Sequence, residues 1–253
     1  MGEQPGRHTS FYELAEAQEQ AGCPICRLAE RRTERYLDSL LYEAVLDASV
    51  RERLTASHGF CAAHVALLRQ RPGRSLGIAL IYQSILARMT ELIDAGELVR
   101  GSLRDRLRGR RASGATLAER LCPQEQCPAC TIHREAEESY AGLLASCLND
   151  ERLYLAYAEG DGLCLPHLAM ALEQVPDPKA LERLVQPQLA RYRAMLSDLS
   201  EYIRKCDHRF RSEPFGSEGD VWLRAMNALA GGAGMGSSAK HGSRRAQDLS
   251  APH

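Results

Sequence analysis

Apolar residues in this chain recur three and four positions apart, and no stretch sustains the alternation in twos that a strand requires. The pattern predicts a short helix over about 10–20 and a longer one from Pro24 to about Leu46, with Leu28, Tyr36, Leu40 and Leu41 among its apolar positions. Asp47 suits the N-cap of a further short helix that ends near Gly59. Another runs from Cys61 to Pro72-Gly73. The clearest amphipathic stripe spans Ser75 to Ala95 through Leu76, Ala79, Ile85, Leu86, Met89, Leu92 and Ile93. The second half repeats this order and ends in a helix from about Leu181 to Lys205. Beyond it, Phe210 to Leu229 holds Trp222 on a short helix, after a loop, Glu213-Pro214-Phe215-Gly216, whose aromatic can pack back on the body. The expected fold class is all-α.

A search for self-similarity explains why the order repeats. The first copy runs Cys23-Pro24-Ile25-Cys26, then 34 residues, then Cys61-Ala62-Ala63-His64. The second runs Cys127-Pro128-Ala129-Cys130, then 33 residues, then Cys164-Leu165-Pro166-His167. Tyr36 and Tyr140 each follow the first cysteine of their copy by thirteen residues. Gly59-Phe60 and Gly162-Leu163 stand immediately before the third cysteine, and Pro72 and Pro176 close the segment after the histidine. The chain therefore reads as duplicated helical modules in a pseudo-two-fold relation, packed into one body because each module has only a small core.

Three thiolates and one imidazole are a tetrahedral donor set suited to zinc, with Cys-x-x-Cys bringing two sulfurs to one ion from a helix start. Pro24 and Pro128 fit the first turn of such a helix. The expected ligands are Cys23, Cys26, Cys61 and His64 at one ion and Cys127, Cys130, Cys164 and His167 at the other, two Zn2+ per chain. The long spacer is what a helical hairpin needs to return to its start. An iron–sulfur cluster could use the same donors, so that reading stays open.

Composition adds the compartment. With 44% apolar and 26% charged residues, 253 residues can bury an ordinary core without disulfides. A formal net charge of -1 gives no reason to expect nucleic acid or an anionic membrane. Met1 to Ser10 is polar, and the longest apolar run, Leu76 to Tyr82, is too short to span a bilayer. A cytoplasmic protein is expected, where nine cysteines point to metal or redox chemistry rather than disulfides.

The remaining residues carry weaker signals. Cys147 and Cys206 read as core or part-exposed thiols. Cys122 stands close enough to Cys127 to be a substitute ligand or redox partner. His133 suits an exposed helix face or a place beside the second site. Tyr36 and Tyr140 are expected in the core with polar partners for their hydroxyls. Arg100, Arg104, Arg106, Arg108, Arg110 and Arg111 mark a solvated basic linker. The module boundaries expected are 10–99 and 117–206, joined by a linker over 100–116, followed by a packed segment over 207–230 and a disordered tail over 231–253.

These motifs, with Lys205-Cys206-Asp207-His208-Arg209-Phe210, Glu213-Pro214, Glu218-Gly219 and Trp222, resemble an uncharacterised bacterial family, domain of unknown function 6062. The resemblance covers about residues 10–230. It implies a helical bacterial protein and carries no catalytic residue onto this chain.

Three functions are compatible with the residues. The first is a binding or regulatory protein with structural zinc and a protein partner; every metal position is filled by the chain, and no Gly-rich phosphate loop, nucleophile elbow or His-Glu-x-x-His motif is present. The second is an iron–sulfur redox or sensor protein. The third, a thiol–disulfide oxidoreductase, would need its Cys-x-x-Cys after a strand, in a setting the helical pattern does not offer.

Overall fold

A computed structural model describes residues 5–94, 114–210 and 212–231, and among them every regular element is helical. The α-helices are α1 (Pro5–Gln18), α2 (Pro24–Ser39), α3 (Ala48–Ala56), α4 (Ala62–Arg69), α5 (Ser75–Asp94), α6 (Gly114–Arg120), α7 (Pro128–Cys147), α8 (Glu151–Glu159), α9 (Leu165–Leu172), α10 (Pro178–Cys206) and α11 (Val221–Ala230). The all-α expectation holds. Residues 95–113 and 232–253, with most of the expected linker and tail and all six arginines of the basic cluster, lie outside the described residues.

Local chemistry places the helix starts. The Asp47 carboxylate accepts from Ser49 N at 2.9 Å and Val50 N at 3.0 Å, which satisfies free amides of α3. Asp150 does the same for α8 through Arg152 N and Leu153 N, at 3.0 and 3.2 Å. Asp177 caps α10 through Ala180 N at 2.9 Å.

The long helix expected from Pro24 to Leu46 is interrupted. It is α-helical to Ser39 and continues as a π-helical turn over Leu40–Ala44. Its counterpart α7 stays α-helical throughout. The reason is in the spacers: the first copy has 34 residues where the second has 33. Tyr36 and Tyr140 are 104 positions apart, but the capping residues Asp47 and Asp150 only 103, so the extra residue falls between them. A π turn absorbs one inserted residue without rotating the rest of the helix. Leu40 and Leu41 consequently both stay buried.

The chain divides into two compact units, one drawn from Met1–Leu28 and Glu138–His253 and the other from Ala29–Glu137. Neither coincides with a module expected from the sequence copies, 10–99 or 117–206. Each unit joins the Cys-x-x-Cys of one copy to the Cys-x-x-His of the other.

In the continuous unit, Leu37, Leu40, Leu41, Val45, Leu54, Phe60, Leu68, Ile81 and Ile85 form one apolar cluster that takes in Cys127 and Ala129. Helix α5 packs on α3 and on the π turn. By length and composition α5 could also cross a membrane; its Ile81 and Ile85 are buried in this cluster, whereas Leu76, Leu86 and Ile93 are exposed. The two-segment unit buries Leu14, Ile25, Leu28, Leu144, Leu148, Leu153, Tyr157, Leu163, Leu184 and Val221. There α1 packs on α8, α10 on α8, and α11 on both α9 and α10.

Candidate metal centres

Cys164 is the residue before α9, with φ -69° and ψ 159°, so the chain is extended there and turns helical immediately after. His167 then lies in the first turn, and its Nδ1 sits 3.1 Å from Cys164 Sγ. Cys61 repeats this before α4, with φ -66° and ψ 165°, and its sulfur lies 3.1 Å from His64 Nδ1. Each cysteine is reached through a glycine in the left-handed region, Gly59 at φ 88° and Gly162 at φ 78°. Neither glycine can be replaced without strain: a Cβ on Gly162 would meet Gln188 Oε1 at 2.6 Å, and one on Gly59 would meet Ile85 Cδ1 at 3.2 Å.

The facing pair arrives from the start of α2 or α7. Cys23 stands just before Pro24, after Gly22 at φ 84°. Arg27 holds that turn by donating to the carbonyls of Ala17 at 2.8 Å, Gln20 at 3.3 Å and Gly22 at 3.4 Å. Gly22 N also donates to the Asp161 carboxylate at 2.7 Å, which ties the Cys23 turn to the loop that carries Cys164.

All eight predicted residues gather in two groups of four, but with partners exchanged. Cys23 and Cys26 meet Cys164 and His167; Cys127 and Cys130 meet Cys61 and His64. The pairing expected within each copy is thereby corrected. A Cys-x-x-Cys presents the same donors to either Cys-x-x-His, so the ligand set could be read from spacing but the pairing could not.

In each quartet the four ligand atoms lie within 4.8 Å of one another. Around a tetrahedral ion with bonds of about 2.3 Å to sulfur and about 2.0–2.1 Å to nitrogen, sulfur–sulfur edges come to about 3.8 Å and sulfur–nitrogen edges to about 3.5 Å. Cys26 and Cys164 sulfurs are 3.7 Å apart, and His167 Nδ1 lies 3.4 Å from Cys23 and 3.3 Å from Cys26. In the other quartet Cys61 and Cys130 sulfurs are 3.6 Å apart, and His64 Nδ1 lies 3.5 Å from Cys127 and 3.4 Å from Cys130. Donor chemistry and spacing both fit one four-coordinate ion.

The protons are distributed differently in the two groups. Hydrogen bonding from Cys164 and Cys26 holds the Cys23 thiol far below its usual range. Burial opposes a charged imidazole at His167, yet hydrogen bonding to Cys164 and Cys23 lifts it to about 10. In the second group burial, reinforced by Cys61, pushes Cys130 up to about 12. Burial and the neighbouring His133 lower His64. Burial opposes ionisation of Cys61, but the His64 N–H at the start of α4 and the Cys130 thiol bring it below its ordinary value.

The other singled-out residues fall into place around these groups. Cys122 and Cys206 are exposed and Cys147 is half-buried, and none joins a quartet. His133 lies beside the second group, its ring 6.5 Å from that of His64, with Nδ1 3.0 Å from Thr33 Oγ1. Tyr140 is buried and donates to Glu13 at 2.8 Å, whereas Tyr36 packs half-buried against the apolar cluster. Sequence reasoning missed Gln188. It clamps the residue before Cys164, accepting from Leu163 N at 3.0 Å and donating to Leu163 O at 2.9 Å, and Tyr157 donates to it at 3.2 Å. It also missed Gly231, where a Cβ would lie 3.3 Å from Cys164 Sγ. A polar residue in line with Ala180 and Leu184 on the buried face of an amphipathic helix was the available signal for Gln188; nothing local marks Gly231.

The family model that matches this chain describes a family of unknown function, DUF6062, and covers residues 12–235. The chain belongs to this family. A curated relative, described as an uncharacterized 23.9 kDa protein in the xynA 3' region of Caldicellulosiruptor sp. (strain Rt8B.4), is 24% identical over 216 residues, or 83% of this chain and 95% of that one. No solved structure matches. The C-terminal residues that carry the DUF6062 resemblance form a bonded unit. Lys205 donates to Pro214 O at 2.9 Å and to the buried Glu218 at 2.6 Å, Gly216 N donates to Glu218 at 2.9 Å, and Tyr202 stacks on Phe215 with centroids 5.1 Å apart. This unit returns the chain along α10 and lays α11 against α9.

Proposed function

We propose that this protein binds two zinc ions as structural cross-links and serves as an interaction or regulatory protein whose partner is another protein. One observation carries the reading: each quartet gathers three sulfurs and one imidazole nitrogen within 4.8 Å, with sulfur pairs at 3.7 and 3.6 Å that match an edge of a tetrahedral zinc site. Protein donors would take all four positions, which suits a cross-link rather than an open Lewis acid. The compactness of the quartets favours one ion over a cluster, whose irons would spread the ligands further. None of the nine cysteines is joined in a disulfide, in keeping with a reducing compartment such as the cytoplasm. The proposed partner is a protein because the C-terminal helix α11 leaves Trp222, Leu223, Met226 and Leu229 exposed.

Metal analysis of the purified protein tests the reading. Two zinc ions per chain are expected, falling to one in Cys61→Ser and to one in Cys164→Ser. Iron with sulfide would replace zinc by a cluster, and protein without metal would reduce both quartets to buried thiols. Capture with purified protein should lose its partner when Trp222 and Met226 become serine while the metal content stays at two.

A further inference from the structure

The two quartets carry the same donors, but solvent reaches only one of them. Cys26 and Cys164 are 5% and 1% exposed, and Gly231 lies against the Cys164 sulfur. In the other quartet Cys61 and Cys130 are both part-exposed, and theirs are the two sulfurs that lie 3.6 Å apart. We propose that Cys61 and Cys130 form a thiol-modification site for hydroperoxides, whose oxidation expels the ion from that quartet while the buried quartet keeps its own. The proposal rests on the zinc reading above.

Three features support it. Modification requires access, and only this pair combines access with a second sulfur in reach. Closing a disulfide from 3.6 Å to about 2.05 Å asks for about 1.5 Å of movement. Cys61 can supply that movement, because it lies at the junction of a loop and α4 rather than inside a helix. In the buried quartet the 3.7 Å pair, Cys26 and Cys164, has comparable spacing but no comparable access.

The chemistry balances with hydrogen peroxide as oxidant. As ligands of the ion both sulfurs would be thiolates; one of the pair attacks a peroxide oxygen, an S–O bond forms, the O–O bond breaks, and the departing hydroxide takes a proton and leaves as water. The second thiolate attacks that sulfur; the S–S bond forms, the S–O bond breaks, and the second hydroxide is protonated to water. Two thiolates give up two electrons, and peroxide with two protons becomes two waters. The ion is left with Cys127 and His64 and dissociates.

The test uses the full-length metallated protein carrying Cys122→Ser, Cys147→Ser and Cys206→Ser, so that thiols outside the quartets do not consume oxidant. Hydrogen peroxide is added, released zinc is read with a metallochromic indicator, and disulfides are mapped by peptide mass spectrometry. One ion should leave at least roughly tenfold faster than the other, together with a Cys61–Cys130 linked peptide. A reductant followed by zinc should restore the original content. Equal release of both ions, or earlier modification of Cys23, Cys26 or Cys164, would overturn the proposal. Metal content before oxidation reports separately on the zinc reading. If it is zero, that reading fails and ion expulsion fails with it, while the peptide map still decides whether Cys61 and Cys130 pair.

Discussion

The quartet of Cys23, Cys26, Cys164 and His167 and the quartet of Cys127, Cys130, Cys61 and His64 share donors and spacing but differ in what supports them. Gln188 follows Cys164 by 24 residues, and Ile85 follows Cys61 by the same 24. At one register position, therefore, the loop before the cysteine is held by an amide clamp in one unit and by apolar packing in the other. The first quartet is also closed over by the end of α11 at Gly231. A repeated motif specifies the donors, and its surroundings specify how tightly they are enclosed.

The exchanged pairing gives the largest expected effect. Cys23→Ser combined with Cys164→Ser should remove one ion, because both residues serve one quartet, whereas Cys23→Ser combined with Cys61→Ser should remove both. The opposite pattern would restore pairing within each copy. A structural zinc contributes roughly 10–16 kcal/mol of apparent binding free energy, so the unit that loses its ion should also lose its cooperative thermal transition, read by circular dichroism.

Support of the loops comes next. Gln188→Ile makes the first unit resemble the second at this position but leaves the buried Leu163 N–H and C=O unpaired, and about 2–3 kcal/mol of stability should be lost in urea melts. Ile85→Gln in the other unit should also destabilise, since it places an amide among apolar neighbours, and a neutral outcome there would mean that the two supports are interchangeable. Gly231→Val should cost about 1–3 kcal/mol, because φ 71° with ψ 177° suits only glycine and the Cβ would press on Cys164. Its more telling readout is faster alkylation of Cys164, which would narrow the difference between the quartets.

Acid separates the units more gently. Lys205, with Gly216 N–H, holds Glu218 down to about 2 from an ordinary value of 4.5. Its folded value lies below the unfolded one, so its contribution is complete above about pH 4.5 and fades as pH falls toward about 2. Glu218→Gln should flatten that part of the stability curve and raise alkylation of Cys164. The smallest effect is expected from deleting Tyr42, an exposed residue of the π turn, which equalises the two spacers. Stability should stay within about 1 kcal/mol of the parent, whereas deleting Ser146 from α7 should not be tolerated.

Much of this molecule could be read before its structure. Helical periodicity gave the elements, and cysteine and histidine spacing gave all eight gathered residues. The duplicated Gly59 and Gly162 marked the tight approaches. The unequal spacers already held the π turn, but periodicity cannot distinguish an inserted residue from a longer helix. Pairing was out of reach because two identical donor sets leave two assignments that donor chemistry and spacing do not distinguish. Closure by Gly231 was invisible for a different reason, since it depends on where α10 returns the chain.

The exchange of partners also sets a problem in time. Cys61 and Cys130 are 69 positions apart, but Cys26 and Cys164 are separated by 138, and the shorter span is nested inside the longer. A chain emerging from the ribosome presents Cys23, Cys26, Cys61 and His64 long before their final partners exist. At that moment the only complete donor set is the wrong one. Were metal to bind during synthesis, the first half could close on itself before the exchanged pairing becomes possible.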